Sequence, residues 1–159
     1  MPDSFTGNDL INIAIGIERH GIAFYDIMSM STENAETSDI FRHLAKMEGQ
    51  HIQIFQGMLS ESNRYLEIET KEHISYLQTL ADNAVFTDEM VTSELATQAD
   101  SDVKALELAI VAEKDSLLFY YQMRDLVPRQ AYPEVNKIID EEKSHLRLLS
   151  ELKKRLAAI

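Results

Sequence analysis

Two glutamate–histidine pairs in this sequence have the spacing that metal sites on helices use. Glu142 and His145 are three residues apart, and Glu48 and His51 repeat the arrangement earlier in the chain. At that spacing the two side chains of a pair lie on one helix face. Large apolar residues share that face in both pairs, so each carboxylate and imidazole points toward a core. Such a charge needs compensation, and a metal ion can supply it.

Glu18 and Glu113 are two further glutamates that interrupt apolar helical stripes. The segments around them are related, because residues 14–28, AIGIERHGIAFYDIM, align without a gap on residues 109–123, AIVAEKDSLLFYYQM, at an offset of 95. Charged residues seldom lie in a protein core unless they are paired or bind a metal. We therefore place both glutamates in the same pattern as the Glu–His pairs.

A second alignment, at an offset of 94, superposes one Glu–His pair on the other. Glu48 then matches Glu142, whereas the neighbouring Glu141 matches Met47. The repeat thus selects Glu142, and not Glu141, as the candidate ligand. Each half of the chain is predicted to form the same pair of helices.

The complete set offers four carboxylates and two imidazoles, which suit two metal ions such as iron or manganese. The chain contains no Cys, which excludes thiolate metal sites, iron–sulfur clusters and a cysteine nucleophile. Two metal ions would also offset four buried negative charges. The six candidate ligands are Glu18, Glu48, His51, Glu113, Glu142 and His145.

The spacing of apolar residues predicts that an all-α bundle positions these side chains. The length of 159 residues, with 45% hydrophobic and 26% charged residues, suits one domain over residues 1–159. Three Pro and five Gly are too few for the turns of a sheet. Four long helices are predicted, from Thr6 or Asn8 to about Met30, from about Ala35 to Ser60, from Ser101 or Asp102 to Val127, and from Pro133 to about Leu156.

About forty residues connect the second long helix to the third, and they are too apolar for a disordered linker. A crossover of this length lets the second and third long helices run parallel. Two short helices are predicted within it, one capped by Thr70 and bearing Ile74, Leu77 and Leu80, the other capped by Thr87 and bearing Met90, Val91 and Leu95.

The charge and the apolar segments limit the class of partner. A formal net charge of −12 disfavours nucleic acid and anionic membrane surfaces, because their phosphates would repel the protein. The first residues lack the basic and apolar regions of a signal peptide, and no segment approaches the roughly 20 apolar residues of a membrane span. We therefore expect a cytoplasmic protein.

At the six candidate ligands the sequence resembles the ferritin-like di-iron carboxylate proteins, in particular the bundle domain of rubrerythrins. The resemblance covers the four long helices and implies a ferritin-like four-helix bundle that binds two iron ions, with manganese or zinc as substitutes. It also implies the roles of the ligands: Glu48 and Glu142 bridge the two ions, Glu18 and Glu113 are terminal ligands, and His51 and His145 bind one ion each.

Two departures from rubrerythrins bear on activity. Ser116 stands where rubrerythrins have an extra glutamate, and its counterpart in the first half is Gly21, so the site looks more like the six-ligand centre of bacterioferritin. The Cys-rich rubredoxin domain of full-length rubrerythrins is also missing, since the sequence has no Cys. A peroxide reductase of this kind would need a separate rubredoxin-like electron donor.

Tyr25 is a candidate for a role beside the ligands. It follows Glu18 by seven residues, two helical turns, and resembles the tyrosine that hydrogen-bonds a ligand or supplies an electron in these families. The alternative is a core tyrosine. His20, His43 and His73 have no Glu at the pair spacing, so we expect solvated or capping positions for them.

Three functions fit this pattern. The first is a non-haem di-iron oxidoreductase that reacts with peroxide or O₂ and takes electrons from an external donor. The second is a ferroxidase for iron storage or detoxification, which requires an oligomeric compartment for the mineral. The third is a helical interaction module with a structural metal site, because a fold does not fix a function.

The apolar residues of the crossover also predict an assembly. Tyr65, Leu66 and Phe86 need burial beyond what one bundle offers, and a two-fold contact between copies would supply it. We therefore expect a homodimer or a small multiple of one. The resemblance to rubrerythrin-like proteins implies that the subunits can exchange helices.

Overall fold

Five α-helices and one short 3₁₀ helix make up the described part of the chain. The computed structural model describes residues 7–61, 71–82 and 101–158, and no strand occurs within these ranges. None of the described helices is long and apolar enough to cross a membrane. The helices are α1 (Gly7–Ser31), α2 (Ala35–Glu61), α3 (Lys71–Asp82), α4 (Asp102–Leu126) and α5 (Tyr132–Ala157), and the 3₁₀ helix spans Arg129–Ala131.

These boundaries confirm the four long helices and the first short helix of the crossover. The second short helix, predicted after Thr87, lies outside the described residues. Leu77 of α3 is fully buried and packs into the core, so this part of the crossover packs against the bundle. Tyr76, the preceding residue, remains 45% exposed.

The turn between α1 and α2 is fixed by capping side chains. Asn34 Oδ1 accepts a hydrogen bond from the backbone N–H of Thr37 at 2.9 Å, which caps the first turn of α2. The Asp102 carboxylate accepts from the backbone N–H groups of Glu33 at 3.1 Å and Asn34 at 2.8 Å. Because Asp102 begins α4, this contact places the starts of α2 and α4 side by side.

A serine cap and two prolines set the ends of the helices in the second hairpin, α4 and α5. Ser101 caps α4 by accepting from the backbone N–H of Lys104 at 3.1 Å. Pro128 follows the end of α4, where it cannot continue the helix, and Pro133 lies in the first turn of α5, where its missing N–H costs nothing. The two helices are therefore antiparallel neighbours joined by one 3₁₀ turn.

Hydrogen bonds between the hairpins fix the direction of the crossover. The Tyr25 hydroxyl of α1 donates to Glu113 of α4, and the Tyr120 hydroxyl of α4 donates to Glu18 of α1. The early residue of one helix thus faces the late residue of the other, so α1 and α4 are antiparallel. Since α1 is also antiparallel to α2, α2 and α4 run parallel, which confirms the predicted crossover.

Two apolar clusters fill the bundle on either side of its polar centre. We call them the upper cluster, near the α1–α2 turn, and the lower cluster, near the α4–α5 turn. The upper cluster includes Phe24, Met28, Phe41, Leu44, Leu106 and Leu149. The lower cluster includes Leu10, Phe55, Leu77, Phe119, Met123 and Ile138. Both exclude water from the polar residues between them.

Candidate metal centre

The four long helices bring all six predicted ligands together in the middle of the bundle. α1 and α4 contribute one glutamate each, and α2 and α5 contribute a glutamate and a histidine each. No side chain of the set is exposed: the accessible fractions are 2% for Glu18, 3% for Glu48, 0% for His51, 1% for Glu113, 1% for Glu142 and 4% for His145. The helical spacing alone accounts for the two pairs, while the bundle brings the pairs together.

Within the described residues the six side chains form two overlapping groups that could each hold one metal ion. In each group the ligand atoms lie within 4.8 Å of one another. One group is Glu18, Glu48, His51 and Glu142, and the other is Glu48, Glu113, Glu142 and His145. Glu48 and Glu142 belong to both groups, and each histidine belongs to one.

Three carboxylates surround Nδ1 of His51. The distances are 3.0 Å to Oε2 of Glu48, 3.3 Å to Oε1 of Glu142 and 3.5 Å to Oε1 of Glu18. A nitrogen this close to three carboxylate oxygens carries either a proton or a cation in their midst. This position, between one imidazole nitrogen and three carboxylates, has the donor set of a divalent metal.

His145 has a matching environment in the other half. Its Nδ1 lies 3.0 Å from Oε2 of Glu142 and 3.7 Å from both Oε1 of Glu48 and Oε1 of Glu113. The two imidazole rings are 5.8 Å apart between centroids and inclined by 21°. The internal repeat of the sequence is thus a two-fold relation between the two halves of the site.

Burial and mutual repulsion shift the pKa values of the carboxylates in the metal-free site. Burial raises the pKa values of Glu48 and Glu113 well above the usual range, and the charge of Glu142 raises both further. Burial and the charge of Glu18 likewise raise the pKa of Glu142. For Glu18 itself burial acts in the same direction, but hydrogen bonds to Glu48 and His51 outweigh it and lower its pKa.

The two imidazoles respond to this environment in opposite directions. Burial lowers the pKa of His145, and no other contribution outweighs it. Burial acts in the same sense on His51, but hydrogen bonds to Glu142, Glu18 and Glu48 raise its pKa far above the usual value. A proton on His51 partly offsets the carboxylate charge that metal ions would neutralise.

Each tyrosine of the repeat contacts the glutamate of the opposite half. The sequence predicted that Tyr25 could hydrogen-bond a ligand without naming which one. Its hydroxyl donates to Glu113, and the hydroxyl of Tyr120 donates to Glu18. We call this pair of contacts the crossed tyrosine bonds. Burial and the adjacent carboxylate raise the pKa of both phenols well above the ordinary value, so they remain protonated donors.

Aromatic neighbours hold the two phenol rings in place. Tyr25 packs edge-on against Phe24 at 5.4 Å and stacks on Phe41 at 5.7 Å. Tyr120 packs against Phe55 at 5.6 Å and Phe119 at 5.9 Å. Both tyrosines are fully buried, one in each apolar cluster. They therefore serve as core residues and as hydrogen-bond donors at the same time.

Sequence reasoning missed Glu141. Its Oε2 lies 2.8 Å from Nε2 of His51, on the side of the ring that faces away from the other carboxylates. The repeat set Glu141 aside as a ligand, and the structure indeed places it outside both ligand groups. The sequence showed an acidic residue directly before Glu142. Periodicity could not show that this residue contacts His51 on another helix.

The serine and the other histidines discussed in the sequence analysis lie outside the ligand groups where the structure describes them. Ser116 is buried one turn after Glu113 and belongs to neither ligand group. His43 is exposed and His20 is half-buried, and neither belongs to a ligand group. The side chain of His73 lies outside the described residues.

The donor set fits a pair of divalent metal ions. Four buried carboxylates in one cavity repel one another at low dielectric, and hard cations relieve that repulsion. Carboxylates with imidazoles suit iron, manganese and zinc, while the absence of Cys excludes thiolate ligands. Two ions would share Glu48 and Glu142, because only these two side chains belong to both groups.

Comparisons with known proteins agree with this geometry. A family model for rubrerythrin matches residues 9–153 of the chain. A Thermotoga maritima protein, described with its crystal structure as a candidate ferritin-like diiron-carboxylate protein, is 34% identical. The match covers 95% of this chain and 96% of that one, with a TM-score of 0.71. A search of curated proteins gives no match. The chain is a ferritin-like helical bundle that belongs to the rubrerythrin family.

Proposed function

We propose that the protein is a non-haem di-iron oxidoreductase that reduces peroxide or O₂ with electrons from a separate rubredoxin-like donor. The observation that carries the proposal is the pair of overlapping ligand groups, which share Glu48 and Glu142. Shared carboxylates favour two ions at the short separation that joint reaction with one small oxidant requires, roughly 3.5–4 Å. Membership of the rubrerythrin family supports the same class of substrate.

Iron bound at the site would supply reversible one-electron chemistry at each of two positions. The residues of the chain hold and shield it. Glu18 and Glu113 each keep one hydrogen bond from a tyrosine, which limits their motion. The two apolar clusters exclude bulk water from the centre.

Rapid anaerobic mixing of the Fe²⁺-loaded protein with hydrogen peroxide tests the proposal. We expect oxidation within seconds, followed by absorbance changes of ferric iron, and repeated turnover when a reductant is present. The matched control is the Glu48→Gln variant, which keeps the side-chain shape and loses a shared carboxylate. A di-ferrous site that stays reduced for minutes would contradict the proposal and favour a structural metal in an interaction module.

A ferroxidase for iron storage or detoxification is the second candidate, and Ser116 favours it. The missing seventh carboxylate leaves a symmetric set of six ligands, as the resemblance to bacterioferritin implies. Storage requires a cage, which size-exclusion chromatography separates from the homodimer that we propose. Exposed Val111 and Leu118 on one face of α4, at 45% and 44%, support a contact between copies. Helix exchange between the subunits and a cytoplasmic location stay predictions.

A further inference from the structure

The two histidines of the centre differ on the ring edge that faces away from the shared carboxylates. Nε2 of His51 donates to Oε2 of Glu141 at 2.8 Å, and this carboxylate is 27% exposed at the surface of the bundle. His145 makes its hydrogen bond through Nδ1, to Glu142. Over the described ranges, no partner is found for its Nε2.

The internal repeat explains the difference. Met47 stands on α2 where Glu141 stands on α5, since the offset of 94 superposes one on the other. Met47 is half-buried, and a thioether is only a weak hydrogen-bond acceptor. On the inner edge the two rings are alike, because each Nδ1 has three carboxylates within 3.7 Å. The asymmetry is therefore confined to the outer edge.

A carboxylate that accepts a hydrogen bond from the outer nitrogen of an imidazole affects how well the inner nitrogen binds a metal. The hydrogen bond from Nε2 fixes the tautomer with its lone pair on Nδ1, holds the ring orientation and makes Nδ1 a stronger donor to a metal. Loss of such a partner typically weakens metal affinity about 10- to 100-fold. Among the described residues, no carboxylate gives Nε2 of His145 the same support.

We propose that the two metal positions are inequivalent and that Glu141, acting on His51 as a positioning residue, makes the position beside His51 fill first. The inference rests on the proposed two-metal centre and adds an order of loading to it. In the holo protein the ion beside His51 is held tightly, while the ion beside His145 is the exchangeable one. A ferroxidase function would use the second position for the iron that enters and leaves.

Crystals of the metal-free protein soaked with one equivalent of Co²⁺ test the order directly. Anomalous scattering should place most of the cobalt beside Nδ1 of His51 and the minority beside Nδ1 of His145. The double variant Met47→Glu and Glu141→Met exchanges the two outer partners at constant composition and should shift the majority to His145. Equal occupancy in the wild type, or a distribution that the exchange leaves unchanged, would overturn the proposal.

Calorimetric titration of Co²⁺ in solution provides a second test that does not depend on the double variant. Glu141→Gln should weaken the first binding step about 10- to 100-fold and leave the second within threefold. Asp140→Asn is the matched control, because this exposed neighbour carries the same charge and its recorded ion pair is with Lys143, at 3.8 Å. An equal loss in both variants would reduce the effect to surface charge and overturn the positioning role.

These measurements separate the inference from the function on which it rests. If the wild-type protein binds no cobalt, the proposed metal centre and the order of loading fall together. Two bound ions with indistinguishable first and second occupancies would leave the metal centre intact and overturn the order alone.

Discussion

Replacing Glu48 or Glu142 with glutamine is expected to abolish tight binding of both metal ions, whereas replacing either histidine with alanine should remove one ion. The difference follows from the overlap of the ligand groups. Each shared glutamate takes part in both positions, so its loss leaves both incomplete, while His51 and His145 serve one position each. Metal analysis by mass spectrometry, after dialysis against equimolar Fe²⁺ or Mn²⁺, measures the stoichiometry.

Two exposed residues on the same helices serve as controls for that experiment. Glu151→Gln removes a carboxylate from α5, and His43→Ala removes an imidazole from α2, and both residues are exposed. Neither should change the amount of metal bound. Unchanged stoichiometry in the histidine variants of the centre would refute the assignment of one imidazole to each ion.

The metal-free protein is expected to lose stability as the pH rises above neutrality. Glu48 and Glu113 have raised pKa values in the folded state, so they retain protons that the unfolded chain has released above its pKa of 4.5. His51 behaves alike above its unfolded value of 6.5. Stability from all three is present at low pH and is lost as the pH rises through their folded pKa values.

Two groups act in the opposite sense, but only below that range. The lowered pKa values of Glu18 and His145 mean that the unfolded chain binds more protons than the folded one, so their contributions rise with pH. Those contributions are complete once the unfolded groups, with reference values of 4.5 and 6.5, have titrated. The net slope above neutrality is therefore negative.

Metal ions should reverse the slope and raise the melting temperature. Ligands bind metals deprotonated, so affinity increases with pH as the carboxylates lose their protons. At a hundred times Kd one ion adds about 2.7 kcal/mol, which for a chain of this size is a rise of about 5–10 °C in Tm. Thermal denaturation at pH 6, 7 and 8, with EDTA or with Mn²⁺, gives both slopes. If the melting temperature changed with pH in the same way in EDTA and in Mn²⁺, the result would argue against a shared carboxylate site.

The sequence was sufficient to predict the four long helices and the six side chains that the bundle brings together. A glutamate such as Glu18 or Glu113 within an apolar stripe is an anomaly that periodicity exposes in a single helix. The partners of Tyr25 and His51 were beyond that reasoning. These contacts depend on how the two hairpins pack together. The spacing of residues within one helix does not show that Glu113 contacts Tyr25 or that Glu141 contacts His51.

The crossed tyrosine bonds have a consequence for the ancestry of the chain. A single hairpin such as α1–α2 carries one terminal glutamate, one Glu–His pair and one tyrosine, and the tyrosine finds its acceptor only on a second hairpin. Two identical hairpins related by a two-fold axis would satisfy both bonds at once, because an isologous contact repeats every interaction. In its contacts the protein is thus a pair of self-complementary half-chains fused by the crossover. Met47, which aligns with Glu141 in the repeat, is a position where the two half-chains differ.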